Sequence, residues 1–220
     1  MNTISINKRT VCNLVGILFS TIIFISCGNK HKECGGISNQ INLYFTLPVK
    51  TSPVKDTFNI GDTIWIEQEF SNSLKNSQNG KYYTLNNFDF NAGFSLIDLN
   101  KVGSIAITNP KIIVYEGSKS GESSTDISYK YENNTYKYKA AFITQQAGLY
   151  MLEFATARSN GTGSITGVTQ CKHEYYAFTF YNSNQGNCNY PFLKNSVDEF
   201  YQKRSEDAFN NAGSYAFYVK

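Results

Sequence analysis

Apolar and polar positions alternate in short runs over most of the chain. Ile41, Leu43, Phe45 and Leu47 alternate with Asn42, Tyr44 and Thr46. That pattern predicts a half-buried strand ending near Pro48, because proline cannot donate to a ladder. Gly61-Asp62 then leads into Thr63 to Phe70. Ile64, Ile66 and Phe70 fall on one face of that run, and Trp65, Glu67 and Glu69 on the other. Residues 71–81 read as a polar loop. Strand patterns continue over 88–99, 104–108 and 111–115, followed by a polar loop over 117–126. The runs 127–131 and 135–144 flank Glu132-Asn133-Asn134, a hairpin turn signal. Ala147-Gly148 introduces 149–154, where Tyr150, Leu152 and Phe154 share a face. Residues 160–167 read as irregular, 173–181 as a strand and 182–189 as a loop. A last strand over 214–219 places Tyr215, Phe217 and Val219 together.

One helix interrupts this pattern. Ser196-Val197-Asp198-Glu199 fits a capping box, in which Ser196 and Glu199 satisfy each other's free backbone N–H groups. Val197, Phe200, Tyr201, Arg204 and Ala208 follow at helical spacing, with Arg204 able to snorkel, and Asn210 to Gly213 ends the run. Eight to ten short strands, one late helix and no βα alternation predict a mainly β chain, a β-sandwich. Residues 57–157 resemble an immunoglobulin-like bacterial domain, on Gly61-Asp62-Thr63-Ile64 opening one strand and Ala147-Gly148-Leu149-Tyr150 opening another. The Gly-x-Tyr pattern resembles the tyrosine corner of such sandwiches, with Tyr150 as its tyrosine. Residues 158–220 are then a C-terminal extension of extra strands and the helix, and 41–220 as a whole the folded domain.

The amino-terminal segment has a different character. Lys8 and Arg9 precede an uncharged apolar run, Leu14 to Ile25, which closes on Phe24-Ile25-Ser26-Cys27. A basic start, a short apolar stretch and a small residue define a secretory signal. A run of 12 residues is shorter than the roughly 20 a spanning helix needs. The segment 1–27 resembles the type II signal peptides of bacterial lipoproteins, with Phe24 standing where that family usually has Leu or another aliphatic residue. The resemblance implies removal of residues 1–26 and acylation of Cys27, with several chains providing the stable anchoring that a single chain does not. Gly28 rather than Asp follows the cysteine, which implies the outer membrane. The Asn-, Lys- and Ile-rich composition with this signal resembles envelope lipoproteins of Bacteroidota. Residues 27–40 have no periodicity and read as a tether.

Charge and cysteines narrow the picture. Without its first 26 residues the chain keeps 18 basic and 17 acidic side chains, a formal +1. A near-neutral surface argues against nucleic acid, which needs a basic footprint, and against a polybasic membrane patch. Cys34, Cys171 and Cys188 remain for an oxidising compartment. Three allow one bridge at most. Cys171–Cys188 is the first choice, since it closes a short loop worth about 3 kcal/mol in the chain-entropy model. Pairing of Cys34 with either is the competitor.

Candidate chemistry is sparse. Of the two histidines, His31 lies in the tether, so a catalytic triad would have to use His173, and Ser164 sits in a Gly/Thr loop rather than a nucleophile elbow. Cys171-Lys172-His173-Glu174 lacks the spacing of a zinc site. Glu122 and Asp126 sit in no calcium loop. No phosphate-cradling loop precedes a helix, so no cofactor or metal is expected. Glu67 and Glu69, two apart on a strand, have about the spacing of a glycosidase pair, a spacing that any solvent-facing strand also shows. Trp65 beside them suits a sugar ring or a partner side chain if exposed, and is a packing residue if that face is covered. Tyr82, Tyr83, Tyr136 and Tyr138 lie among alternating polar residues and are further candidates for exposure. The leading expectation is a non-enzymatic, lipid-anchored binding or structural module for a glycan or an envelope protein. The alternative is a polysaccharide-acting enzyme using the carboxylate pair.

Overall fold

The computed structural model describes residues 40–103, 111–119, 125–158, 163–168, 175–184 and 188–220. Apart from Tyr175 these belong to one unit, Gln40–Thr169 with Tyr176–Lys220. It is a β-sandwich with strands numbered along the chain. The first sheet is centred on β11 (Thr135–Ile143) and β3 (Thr63–Ser71), antiparallel neighbours. β1 (Gln40–Ser52) lies beyond β3, and β14 (Tyr175–Asn184) beyond β1. The other flank of β11 carries β10 (Lys130–Glu132) and, further along, β7 (Lys111–Glu116). The second sheet runs β2 (Thr57–Phe58), β15 (Tyr215–Val219), β12 (Gly148–Arg158), β6 (Phe90–Asp98), β9 (Asp126–Ser128) and β8 (Ser118–Lys119). A small third sheet joins β13 (Ser164–Thr166), β5 (Tyr82–Asn86) and β4 (Ser73–Lys75).

The alternating pattern decides which side chains meet between the sheets. Ile64 and Ile66 from β3 pack with Ala140 and Phe142 from β11, and against Phe94, Leu152, Phe154 and Phe217 from the second sheet. A second apolar cluster continues this core beneath the third sheet, joining Phe45, Phe70, Phe90 and Tyr136 to Tyr83, Leu85 and Ile165. Tyr136 pins that sheet: its hydroxyl donates to the Leu85 carbonyl and accepts from the Phe88 N–H, each at 2.9 Å. β12 is buried on both sides. Tyr150, Leu152 and Phe154 face the sandwich interior, while Leu149 and Met151 face the segment 188–211 with Leu193, Tyr201 and Phe209. The Tyr150 hydroxyl donates to the Ala147 carbonyl at 3.2 Å, the hydrogen bond of a tyrosine corner. At Gly148, φ is +152°, and a Cβ would come within 2.6 Å of the Asn100 amide, so only glycine fits.

Several expectations need correction. β1 runs through Pro48 to Ser52, because Leu47, Val49 and Thr51 continue one buried face and outweigh a single missing donor. Residues 71–81 are not all loop, since buried Leu74 carries β4 into the third sheet. Short strands also occupy Ser118–Lys119 and Ser164–Thr166, and β14 extends to Asn184. The single helix is instead a 3-10 helix, Tyr190–Asn195, and two short α-helices, Glu199–Gln202 and Glu206–Asn211. Ser196 does not cap a helix. Its hydroxyl donates to the Leu99 carbonyl at 3.1 Å, docking the segment to the end of β6. Asp198 caps the first α-helix through the Phe200 N–H, and Ser205 starts the second by accepting from the Ala208 N–H. Arg204 pairs with Glu153 instead of snorkelling. The hairpin turn is as expected: Asn133 and Asn134 both have positive φ, 51° and 60°, the type I′ geometry that suits antiparallel strands. The expected strand over 104–108 lies outside the described residues.

Candidate functional site

The outward face of β3 carries Trp65, Glu67 and Glu69, as the alternation predicts. Pairing decides their neighbours. Trp65 lies opposite Ala141 of β11, whose small side chain leaves room for the indole. Glu67 is opposite Lys139, and Glu69 opposite Lys137. Where β7 pairs with β11 the register shifts between Lys139 and Ala140, so Tyr115 is the extra residue of a bulge. Bulges re-aim side chains, and this one lays the Tyr115 ring against Trp65, with centroids 4.9 Å apart and planes tilted by 54°.

Charges frame the rings. The Lys139 ammonium sits 5.1 Å from the centre of the Trp65 ring and 2.7 Å from a Glu67 carboxylate oxygen. That carboxylate holds the Lys139 ammonium above its ordinary pKa. Lys137 reaches Glu116 at 3.3 Å. Trp65 is therefore partly buried, covered by Tyr115 and Lys139, and the segment 188–211 packs instead on the outer face of the second sheet. Tyr115 is 58% exposed and Ile113, opposite Ala141, is 41% exposed. The result is an apolar centre of Ile113, Tyr115 and Trp65 with paired charges at its margin. That arrangement suits docking against another surface: the rings contribute apolar area, and the ion pairs orient.

The other candidates separate from this face. Tyr136 and Tyr138 are buried, since Lys137 and Lys139 take the outward positions of β11 and leave these tyrosines inward, and Tyr83 of β5 is buried in the cluster beneath the third sheet. Tyr82 alone of that group is exposed. Burial pushes the Tyr136 hydroxyl up to about 12. Ser164 is an exposed residue of β13, and Asp126 opens β9. Cys27, Cys34, His31, Glu122, Cys171 and His173 lie outside the described residues, and Cys188 is partly buried at the start of the segment that covers β12. Among the described residues no three His, Cys, Asp or Glu side chains gather to hold a metal. Sequence reasoning missed Ile113, Tyr115 and Lys139. The exposed-aromatic rule could have flagged Tyr115, but nothing local places it beside Trp65.

Comparison with known proteins adds little. No family model and no curated protein matches the chain. Among solved structures, the reeler domain of human F-spondin is similar at 10% identity and a TM-score of 0.33, over 65% of this chain and 88% of that one. The CupB6 tip adhesin from Pseudomonas aeruginosa is similar at 14% identity and 0.21, over 68% of this chain. A family 123 glycoside hydrolase from Clostridium perfringens is similar at 13% identity and 0.28, over 75%. The chain spans 42% of the adhesin and 33% of the hydrolase. All three likenesses are too weak to transfer a ligand or an activity.

Proposed function

We propose that this chain is an envelope lipoprotein, acylated at Cys27 and held at the outer membrane, whose β-sandwich is a non-enzymatic docking module for another envelope protein. The observation that carries the reading is the Ile113–Tyr115–Trp65 patch with its rim of Lys139–Glu67 and Lys137–Glu116 pairs. An apolar centre inside a charged margin is the anatomy of a protein interface. A glycan is less well served, because Lys139 already occupies the face of Trp65 that a sugar ring would stack on. The engagement of Glu67 by Lys139 likewise favours binding over hydrolysis by a carboxylate pair.

The test has two arms. Mass spectrometry of the membrane-bound chain should find an acylated N-terminus at Cys27, and Cys27→Ser should lose it; an unmodified start elsewhere ends the lipoprotein reading. A photo-crosslinker at position 113 should capture one discrete envelope protein in intact cells, and Tyr115→Ala should abolish capture while the melting temperature stays within a few degrees. Capture that survives Tyr115→Ala and Lys139→Glu together rules out this face.

A further inference from the structure

Gln68, Tyr129, Thr156 and Asn182 form a hydrogen-bonded node where the two apolar clusters of the sandwich meet. They come from β3, the residue after β9, β12 and β14. Tyr129 packs against both clusters and marks their boundary. Its hydroxyl donates to the Gln68 side-chain oxygen and lies 3.1 Å from the Thr156 hydroxyl. The Gln68 amide and the Thr156 hydroxyl each donate to the Asn182 side-chain oxygen at 3.1 Å. Asn182 in turn donates to the Phe154 carbonyl of β12 at 2.9 Å, and its backbone bridges to Ala212. β14 lies in the first sheet beside β1, so the node ties it across to the second.

One hydroxyl beside this node has no partner. Tyr138 of β11 stands directly opposite Gln68 of β3, and both side chains are buried on the inward face. The Tyr138 ring meets that of Tyr129 edge-on, with centroids 5.0 Å apart. Tyr138 is 1% exposed, yet its hydroxyl makes no hydrogen bond among the described residues. A buried hydroxyl left so is costly, and native interiors rarely leave one. Gln68 has the matching lack: its amide carries two hydrogens, and one of them is used.

The two groups miss each other for a geometric reason. Residues opposite each other on an antiparallel pair start side by side. A tyrosine reaches further from its backbone than a glutamine, so their polar ends stop at different depths and leave a gap. Interior polar groups separated by more than hydrogen-bond distance are joined by water. No charged side chain belongs to the node, so an ion would have no counter-charge there. The group that fits is small and neutral, and it accepts hydrogen bonds. We propose that an internal water binds at this point, accepting from the Tyr138 hydroxyl and from the second Gln68 amide hydrogen. It steadies the amide that holds β14 to both sheets.

Oxygen-17 relaxation dispersion on the full chain in detergent tests this, because it counts internal waters that stay longer than the protein tumbles. Tyr138→Phe removes the hydroxyl, keeps the ring, and should lower that count by one. The melting temperature should fall by about 2–4 °C, the shift that one lost hydrogen bond gives in a domain of this size. Amide exchange should speed up more along β14 than along β15, because Gln68 loses its second hold. A hydroxyl that is only unpaired gives the opposite sign, since its removal relieves a buried polar group. A melting temperature that rises or stays level, an unchanged count of waters, or exchange that speeds up equally along both strands would each overturn the proposal. So would a crystal structure of the unaltered chain with no ordered water within hydrogen-bond distance of the Tyr138 hydroxyl, however the variant behaves.

Discussion

Replacing Trp65 by alanine is the sharpest probe of the outward face, because three arrangements give three magnitudes. A freely exposed indole would cost under 1 kcal/mol on removal. An indole sealed beneath another element would cost about 3–5 kcal/mol, as for buried aromatic residues. The observed arrangement lies between. Trp65 touches Tyr115 through a tilted ring pair and Lys139 through a cation–π contact. The first contributes about 0.5–1.5 kcal/mol and the second, near the surface, about 0.5–1 kcal/mol. Partial burial of the indole adds roughly another 1 kcal/mol at 25 cal/mol per Å². The expected loss is about 2–3 kcal/mol, read by urea unfolding with linear extrapolation. A double-mutant cycle with Tyr115→Ala isolates the ring pair and should give a coupling near 1 kcal/mol. A coupling below about 0.3 kcal/mol, where independent sites fall, would refute the pairing. A single-mutant loss above about 4 kcal/mol would show that another element covers this face.

Three further outcomes follow from geometry. Tyr136→Phe leaves the Leu85 carbonyl and the Phe88 N–H without their shared partner and should cost about 2–4 kcal/mol in the same unfolding assay. Hydrogen exchange should show the third sheet loosening first; uniform loosening would contradict its role as a pin. Gly148→Ala forces a Cβ against the Asn100 amide and the Tyr150 hydroxyl and should lower stability by about 1–3 kcal/mol, whereas a neutral result would mean the tyrosine corner is dispensable. Burial raises the Asp98 carboxyl, but hydrogen bonds from the Asn100 side chain, Lys101 and the Asn100 N–H outweigh it and leave the pKa lowered. Such a group stabilises the fold fully above its unfolded value and progressively less as pH falls through its folded one. Stability should therefore drop below about pH 4, and Asp98→Asn should flatten that drop.

The alternation of side chains made most strands legible, because burial on one face is a local property of period two. It placed Ile64, Ile66 and Phe70 opposite Trp65, Glu67 and Glu69, and it put Tyr215, Phe217 and Val219 together. What it could not show was register between strands distant in sequence. The meeting of Trp65 with Tyr115 depends on a one-residue bulge against β11 that no local pattern announces. Tyr136 and Tyr138 were misjudged for a related reason: on β11 the polar face belongs to Lys137 and Lys139, and a tyrosine can satisfy either side. The helix was misread because three capping residues, Ser196, Asp198 and Ser205, compete within ten positions. Contact with Leu99 takes the first out of the contest.

The places of β1 and β15 have a consequence for how the domain forms. β1, the earliest described strand, lies inside its sheet between β3 and β14, and β15, the latest, lies inside its own between β2 and β12. The Lys55 N–H is held by the Tyr215 hydroxyl across 160 positions. Neither sheet can close until strands from both ends of this span are present. A partly synthesised chain therefore has an open flank along β12 and no stable resting structure. Contacts of such long range also make folding slow. The topology thus favours closure of the sandwich in one step, once β15 is present.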